Sequence, residues 1–381
     1  MTRSAEPELE QLTAAVGEFA RRAIAPLPQP VDDAGARRAA RELLALLGAA
    51  GWCRHAVPAA YGGLAKRPSL GALCTIRAAL AAASPLADAV YALQALGSMP
   101  ITLSDNEVQK RRWLPGVAAG HAMAAFAMTE PEAGSDVAAI ATRAVRDGAG
   151  YRLDGRKHLI SNAGIADFYS VFASTDPEAG TRGISCFVVP AETPGLRFVG
   201  AQVMSEPHPL GELELEDCSV PESARLGAEG EGMRLGLRAL DRLRPTVAAA
   251  ACGLATRALE EAIGYARTRR QFGAPLAELP LVQQKLARMA TDLEAARLLV
   301  RRAAEAADSG AERITLEAAQ AKLFATEAAQ RIVDDAVQIH GGRGVLAESV
   351  VDRLYRSVRA LRIYEGTSEV QHLVIARELL R

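Results

Sequence analysis

The chain is expected to be mainly α with a central β domain, in the order helices, strands, helices. Three observations predict this. Leu9, Leu12, Val16 and Phe19, then Leu43, Leu44, Leu46 and Leu47 and onward past Leu103, recur at helical spacing between Pro and Gly breaks. From about Met123 to Leu226 the pattern shortens to strand-length apolar runs, Tyr169–Ala173 and Ile184–Val189, and to the strict alternation of Glu212–Glu216, which reads as antiparallel β material. After the glycines at 227, 230 and 232, long helical patterns return and run nearly to Arg381. The domains are accordingly drawn as 1–122 helical, 123–228 β, and 229–381 helical. With 381 residues the chain is long enough for two or three domains.

Bulk properties narrow the function classes. The 44 basic and 45 acidic residues cancel to a formal charge of −1, with no basic stripe of the kind a nucleic-acid or membrane surface needs. Cys53, Cys74, Cys186, Cys218 and Cys252 are scattered and odd in number, which favours reduced thiols in a cytoplasm. No Cys or His cluster has metal-ligand spacing, so no metal is expected. The start, Met1 to Glu8, carries acids where a secretory signal needs a basic start and an apolar core, and no export is expected. Arg77 and Asp88 punctuate the most apolar region, leaving no run of about 20 residues able to cross a bilayer.

Two segments carry chemistry. In Tyr364-Glu365-Gly366-Thr367-Ser368-Glu369 a carboxylate lies between an aromatic and a glycine; apolar surroundings disfavour its charge and lift its proton affinity toward that of a base working near neutral pH. Alone, the same residues fit a helix end with a solvated acid. The second segment, Phe126 to Asp136, is an apolar run of strand length that stops at Pro131 and then offers Gly134 and Ser135, with Thr129 just before. Backbone donors and hydroxyls directly after a rigid strand end suit ligand binding, and equally an ordinary turn.

Together, and with further motifs in register along almost the whole chain, these residues resemble the acyl-CoA dehydrogenase family of flavoproteins. The resemblance implies a helical N-terminal domain, a small β domain and a C-terminal four-helix bundle. It implies FAD as cofactor. Phe126, Met128, Thr129, Gly134 and Ser135 would wrap the flavin, with Thr129 at the ring edge and Ser135 near the phosphates or the substrate's pantetheine. Where the family has Trp-Ile-Thr against the flavin face, this chain has Leu159, Ile160 and Ser161: the hydroxyl is kept and an aromatic wall is lost. Arg269, Gln271 and Phe272 match Arg-x-x-Phe-Gly, whose arginine contacts the dinucleotide pyrophosphate across a subunit boundary, a task suited to its planar fork. Gln338, Gly341 and Gly342 match Gln-x-x-Gly-Gly at a neighbour's cofactor, and Pro280 replaces a usual Gln. By the same resemblance Thr367 and Glu369 are assigned to the cofactor.

Asp241 and Arg244 resemble the Asp-x-x-Arg segment that meets the thioester, one helical turn apart. One branch of the family carries its glutamate immediately before that arginine; here the position is Leu243, which leaves Glu365 as the base. Tyr364, Gly366 and Ser135 are the remaining substrate contacts. The implied reaction is α,β-dehydrogenation of an acyl thioester, on CoA or an acyl carrier protein, to the 2-enoyl thioester. An electron-transfer flavoprotein or similar acceptor and a homotetramer are the implied partners. The stretch Met204–Gly211, with two prolines around His208, departs from the family's Gly- and Ser-rich loop and marks a specialised substrate. A flavin oxidase or monooxygenase of the same fold, or a non-catalytic flavin-binding member, are the competing classes.

Overall fold

The structure, a computed structural model, describes residues 5–381; residues 1–4, part of the acidic start on which the export argument rests, lie outside them. In chain order the helices α1 (Ala5–Phe19), α2 (Asp33–Ala49), α3 (Leu70–Ala83), α4 (Pro85–Leu103) and α5 (Glu107–Ala119) come first. The strands follow: β1 (Ala124–Ala127), β2 (Arg143–Asp147), β3 (Gly150–Ser161), β4 (Phe168–Ser174), β5 (Ile184–Pro190), β6 (Leu196–Ala201), β7 (Leu210–Pro221) and β8 (Arg225–Leu226). Then come α6 (Gly232–Thr268), the short hairpin β9 (Arg270–Gln271) and β10 (Ala274–Pro275), α7 (Pro280–Asp308), α8 (Thr315–His340), α9 (Val350–Leu361) and α10 (Ser368–Leu379).

The helix boundaries follow local chemistry. Asp32 caps α2 by accepting from the Gly35 N–H at 2.7 Å, and Asn106 caps α5 by accepting from Gln109. Pro280 opens α7 at a position where a missing N–H costs nothing. Among the described residues no helix is long and apolar enough to cross a membrane.

The chain divides into two compact units. One comprises Met1–Pro28, Ser69–Asp88 and Arg244–Arg381. Its core joins Leu70, Cys74 and Ala81 of α3 to an alanine-rich stretch of α6, to α7 and α8, and to Val351, Leu354, Val358 and Leu361, which recur on one face of α9. Small side chains let these helices approach closely. Asp308, at the end of α7, ties the start of α3 by accepting from the Leu70 and Gly71 N–H groups at 2.7 and 2.9 Å.

The other unit comprises Gln29–Pro68 and Ala89–Leu243. Its sheet runs in the order β6-β7-β3-β2-β4-β5-β8, with β1 paired to β4. Every residue of β4 is buried, as a continuous apolar run requires, whereas β7 alternates. The expectation of antiparallel pairing needs one correction: β1 runs parallel to β4, and β2 meets the end of β4 in the same sense. β1 can do so because it enters the sheet from α5 rather than from a hairpin. Gly97 of α4 makes room for β1, since a Cβ there would lie 2.7 Å from that of Ala124.

Candidate active site

Glu365 sits in the turn between α9 and α10, not on a helix cap. The Ala360 carbonyl accepts the N–H groups of Ile363 and Tyr364, and the Arg362 carbonyl accepts that of Ser368. Between these bonds Glu365 and Gly366 are both left-handed, with φ of 55° and 93°. For a glutamate this conformation persists only where the surroundings over-determine it. They do. The Glu365 carbonyl accepts from Arg244 Nε at 3.0 Å, and the Gly366 carbonyl from Lys322 Nζ at 2.7 Å and Gln371 Nε2 at 3.0 Å. Lys322 and Gln371 are fully buried and Arg244 nearly so. Gly366, at φ 93°, takes a backbone conformation that favours glycine, and a Cβ there would also press to 2.6 Å from Gln371 Nε2. Thr367 then caps α10 by accepting from Val370 N–H.

The carboxylate held this way is unusual. Glu365 is half-buried as a residue, yet its Oε2 is inaccessible to solvent and has no hydrogen-bond partner. Burial pushes its proton affinity up; Arg77, Arg244 and Lys322 pull the other way, and Asp88 adds to the rise. Lys322 feels burial too, and its ammonium is brought down to about 8. Glu369, in the first turn of α10, has the opposite environment: it is exposed, and its backbone amide and Thr367 hold its carboxyl below the usual range. Of the two glutamates, only Glu365 has a base's surroundings.

In the second unit, the loop that follows β1 rests on a buried ion pair. Glu130 accepts from the N–H groups of Ala141 at 2.6 Å and Thr142 at 3.1 Å, and from Lys157 Nζ at 2.6 Å. Lys157 has no exposed surface and also donates to the Phe172 carbonyl at 2.6 Å. These bonds hold the turn from which Gly134 and Ser135 project into solvent, while Met128 is buried and Thr129 half-buried. The Thr129 carbonyl accepts the His158 N–H at 2.9 Å, joining the loop to the end of β3.

Immediately after that join, the pairing of β3 with β7 slips between Lys157 and Ile160. The bulge turns Leu159 outward at φ 54°, leaving it 52% exposed, with its N–H on Gln202 Oε1 at 2.8 Å. Ile160 returns to the core, and Ser161 Oγ lies 2.7 Å from His208 Nε2. An exposed apolar side chain beside a loop of hydroxyls and backbone donors fits a flat heterocycle that needs one apolar face and one hydrogen-bonded edge. Phe126, half-buried, packs its ring 4.8 Å from Phe172 behind this surface.

The motif residues at the end of α6, on the β9–β10 hairpin and at the end of α8 face outward. Arg269 is exposed where α6 ends, and Gln271 and Phe272 lie on the β9–β10 hairpin, with Phe272 at φ 51° and 93% exposed. Gln338, Gly341 and Gly342 are exposed at the end of α8, and His340 between them stacks on Tyr265 at 4.3 Å. Asp241 and Arg244 share α6; Asp241 is half-buried, Leu243 is buried, and Arg244 Nε donates to the Glu365 carbonyl. Tyr364 keeps its ring partly exposed, at 39%.

Sequence reasoning gave no role to Lys157, Glu130, Lys322, Arg77 or Asp88. Arg77, Asp88 and Lys322 are charges in apolar stretches, the one signal that could have raised them, whereas Lys157 lies in the polar run Asp154–His158 and gave none. Burial and partners, which decide the role, are not visible in a linear pattern.

Family models described as acyl-CoA dehydrogenase N-terminal, middle and C-terminal domains match residues 6–121, 125–218 and 230–380. A probable acyl-CoA dehydrogenase, fadE25, of Mycobacterium tuberculosis is 37% identical over 377 residues, which is 98% of this chain and 96% of the relative. The structure of butyryl-CoA dehydrogenase from Megasphaera elsdenii superposes with a TM-score of 0.91 at 33% identity, covering 98% of both chains. That of an acyl-CoA dehydrogenase complexed with FAD from Bacillus anthracis gives 0.89 at 30% identity, covering 98% of this chain and 67% of that one.

Proposed function

Since the chain belongs to the acyl-CoA dehydrogenase family, we propose that it catalyses α,β-dehydrogenation of an acyl thioester, with Glu365 as the base that takes the α-proton. The observation that carries the reading is the buried, unpartnered Oε2 of Glu365 on a turn locked by three side chains. An α-hydrogen beside a thioester is a weak acid. Its removal needs a base of raised proton affinity that is already in place, and donors for the enolate oxygen, each contributing perhaps 10²- to 10⁴-fold. Burial raises the affinity of Glu365, and Arg77, Arg244 and Lys322 act against that rise. The fixed turn also holds the Glu365 N–H as one donor for the thioester carbonyl.

FAD is the cofactor; when bound it accepts the β-hydride and passes the electrons on. Phe126, Met128, Thr129, Gly134, Ser135, Leu159, Ile160 and Ser161 hold the flavin portion. Arg269, Gln271, Phe272, Gln338, Gly341 and Gly342, all turned outward, serve a neighbouring subunit's dinucleotide in a homotetramer, with Thr367 and Glu369 on the cofactor as well. Asp241, Arg244, Tyr364, Gly366 and Ser135 bind the substrate, an acyl-CoA or acyl-carrier-protein thioester. An electron-transfer flavoprotein takes the electrons, and the enzyme works in the cytoplasm.

The test is anaerobic flavin bleaching with a panel of acyl thioesters. Glu365→Gln keeps size and packing and is expected to retain FAD and bind substrate while bleaching slows by at least about 10³-fold. Bleaching at the wild-type rate would remove Glu365 from the role. One observation favours a second reading: Leu159 is 52% exposed beside the loop proposed to hold the flavin, without the aromatic wall that the sequence resemblance implies, which suits attack by dioxygen. Faster reoxidation by dioxygen than by an electron-transfer flavoprotein would identify an oxidase.

A further inference from the structure

The segment with Pro207 and Pro209 around His208 belongs to the link between β6 and β7, residues 202–209, and this link is fastened to the end of β3. Backbone bonds hold it at both ends. Gln202 N–H donates to the Leu210 carbonyl at 3.0 Å, and the Pro209 carbonyl accepts the Asn162 N–H at 2.8 Å. Arg37 of α2 closes the same corner. Its Nε donates to Asp33 at 2.6 Å, and its Nη1 and Nη2 donate to the carbonyls of Ala163 and Leu210 at 2.5 and 2.9 Å, so the end of β3 and the start of β7 share one guanidinium. A proline on each side leaves the backbone about His208 few conformations.

From this frame two side chains reach back to the bulged end of β3. Gln202 Oε1 accepts the Leu159 N–H at 2.8 Å, and His208 Nε2 lies 2.7 Å from Oγ of the half-buried Ser161. The second contact has a purpose because its partner is a serine. A serine side chain has three staggered wells, and its hydroxyl hydrogen turns to suit its partners; a threonine, which the sequence resemblance implies at this position, is stiffened at χ1 by its β-methyl. Ser161 lacks that restraint, and a histidine locked between prolines supplies one. Burial, with Arg37 adding and Asp33 opposing, brings the His208 ring down to about 4. Near neutral pH the ring therefore carries a single N–H, and Nε2 has one role toward the hydroxyl.

We propose that His208 is a positioning residue for Ser161: its imidazole fixes where the Ser161 hydroxyl points, and so sets the hydrogen bond that this hydroxyl offers the flavin, a restraint that a β-methyl would otherwise give. The inference rests on the reading of Ser161 as a flavin residue.

The experiment uses the FAD-loaded protein without substrate and follows the midpoint potential and the visible bands of the bound flavin, both of which respond to hydrogen bonds on the ring. Ser161→Ala removes the hydroxyl and is expected to shift the potential. His208→Leu should shift it in the same direction and by no more. Because His208 acts only through the hydroxyl, His208→Leu added to Ser161→Ala should change nothing further. Ser161→Thr added to His208→Leu should return the potential toward wild type, a rescue that a merely structural histidine would not show. Should His208→Leu fail to hold FAD, His208→Asn, polar but too short to reach Oγ, makes the same comparison. The proposal is overturned by a flavin that answers to Ser161→Ala and not to His208→Leu, by shifts that add in the double variant, or by a shift that the threonine leaves unreversed. A flavin unmoved by Ser161→Ala takes Ser161 off the cofactor, so that the underlying reading fails and the proposal with it.

Discussion

Replacing Lys157 with methionine tests whether the buried pair under the loop after β1 is what holds that loop. The lysine carries three contacts: Glu130 Oε1 at 2.6 Å, the Phe172 carbonyl at 2.6 Å and the Met128 carbonyl at 3.4 Å. Both partners of the pair are shielded from solvent, with side chains 0% and 5% exposed. Burial lowers the Lys157 ammonium to about 8, and for Glu130 it is the largest effect and acts upward, but Lys157 together with the Thr142 and Ala141 donors outweighs it and keeps the carboxyl below its usual range. In Lys157→Met the Glu130 carboxylate keeps its two amide donors and loses its counter-charge. Stranding one member of a buried pair costs about 3–5 kcal/mol. For a unit of about two hundred residues, where each kcal/mol shifts the melting point by roughly 2–4 °C, that is about 6–20 °C. Glu130→Gln added to Lys157→Met removes the stranded charge and should recover at least about half of the loss, a coupling of about 2 kcal/mol. Circular-dichroism melts at fixed protein and FAD concentration read the shift, and gel filtration reads FAD retention, which should fall with it. A Lys157→Met protein melting within about 2 °C of wild type, or a double variant as unstable as the sum of the singles, would refute the reasoning.

Phe272, 93% exposed at the tip of the β9–β10 hairpin, is expected to be covered by a second copy of the chain. Phe272→Asp should dissociate the assembly and release FAD, measured by light scattering and flavin absorbance; an unchanged mass with bound FAD would rule this out. His208 is brought down to about 4 chiefly by burial, with Arg37 adding to it, so it should stay neutral while bonded to Ser161. Since the unfolded histidine binds protons below about 6.5, its contribution to stability is present above that pH and is lost as pH falls through the folded value. Its ring resonances should therefore not titrate between about pH 5 and 8 in the native protein; a midpoint in that window would contradict the buried neutral form.

Much of this protein was legible in the chain itself. Period 3.6 and period 2 marked the helices and the strands, because those periods are the repeat of the backbone in each form. A carboxylate between Tyr364 and Gly366, and hydroxyls after an apolar strand at Phe126 to Ser135, singled out the two segments proposed as base and cofactor loop, because short-range chemistry is written in adjacent residues. The pairing of β1 parallel to β4 was not, since direction depends on how the chain enters the sheet. Nor was the bulge at Leu159, which is set by the register of β3 on β7 and not by any residue of β3 alone. Lys157 with Glu130, Arg77 with Asp88, and Lys322 under Gly366 were invisible for a common reason. They are 27, 11 and 44 positions apart. A charge in a sequence is by default a solvated one, and only the packed structure removes the water, raises the strength of each pairing and turns scattered ions into buried supports of a loop and of the turn that carries Glu365.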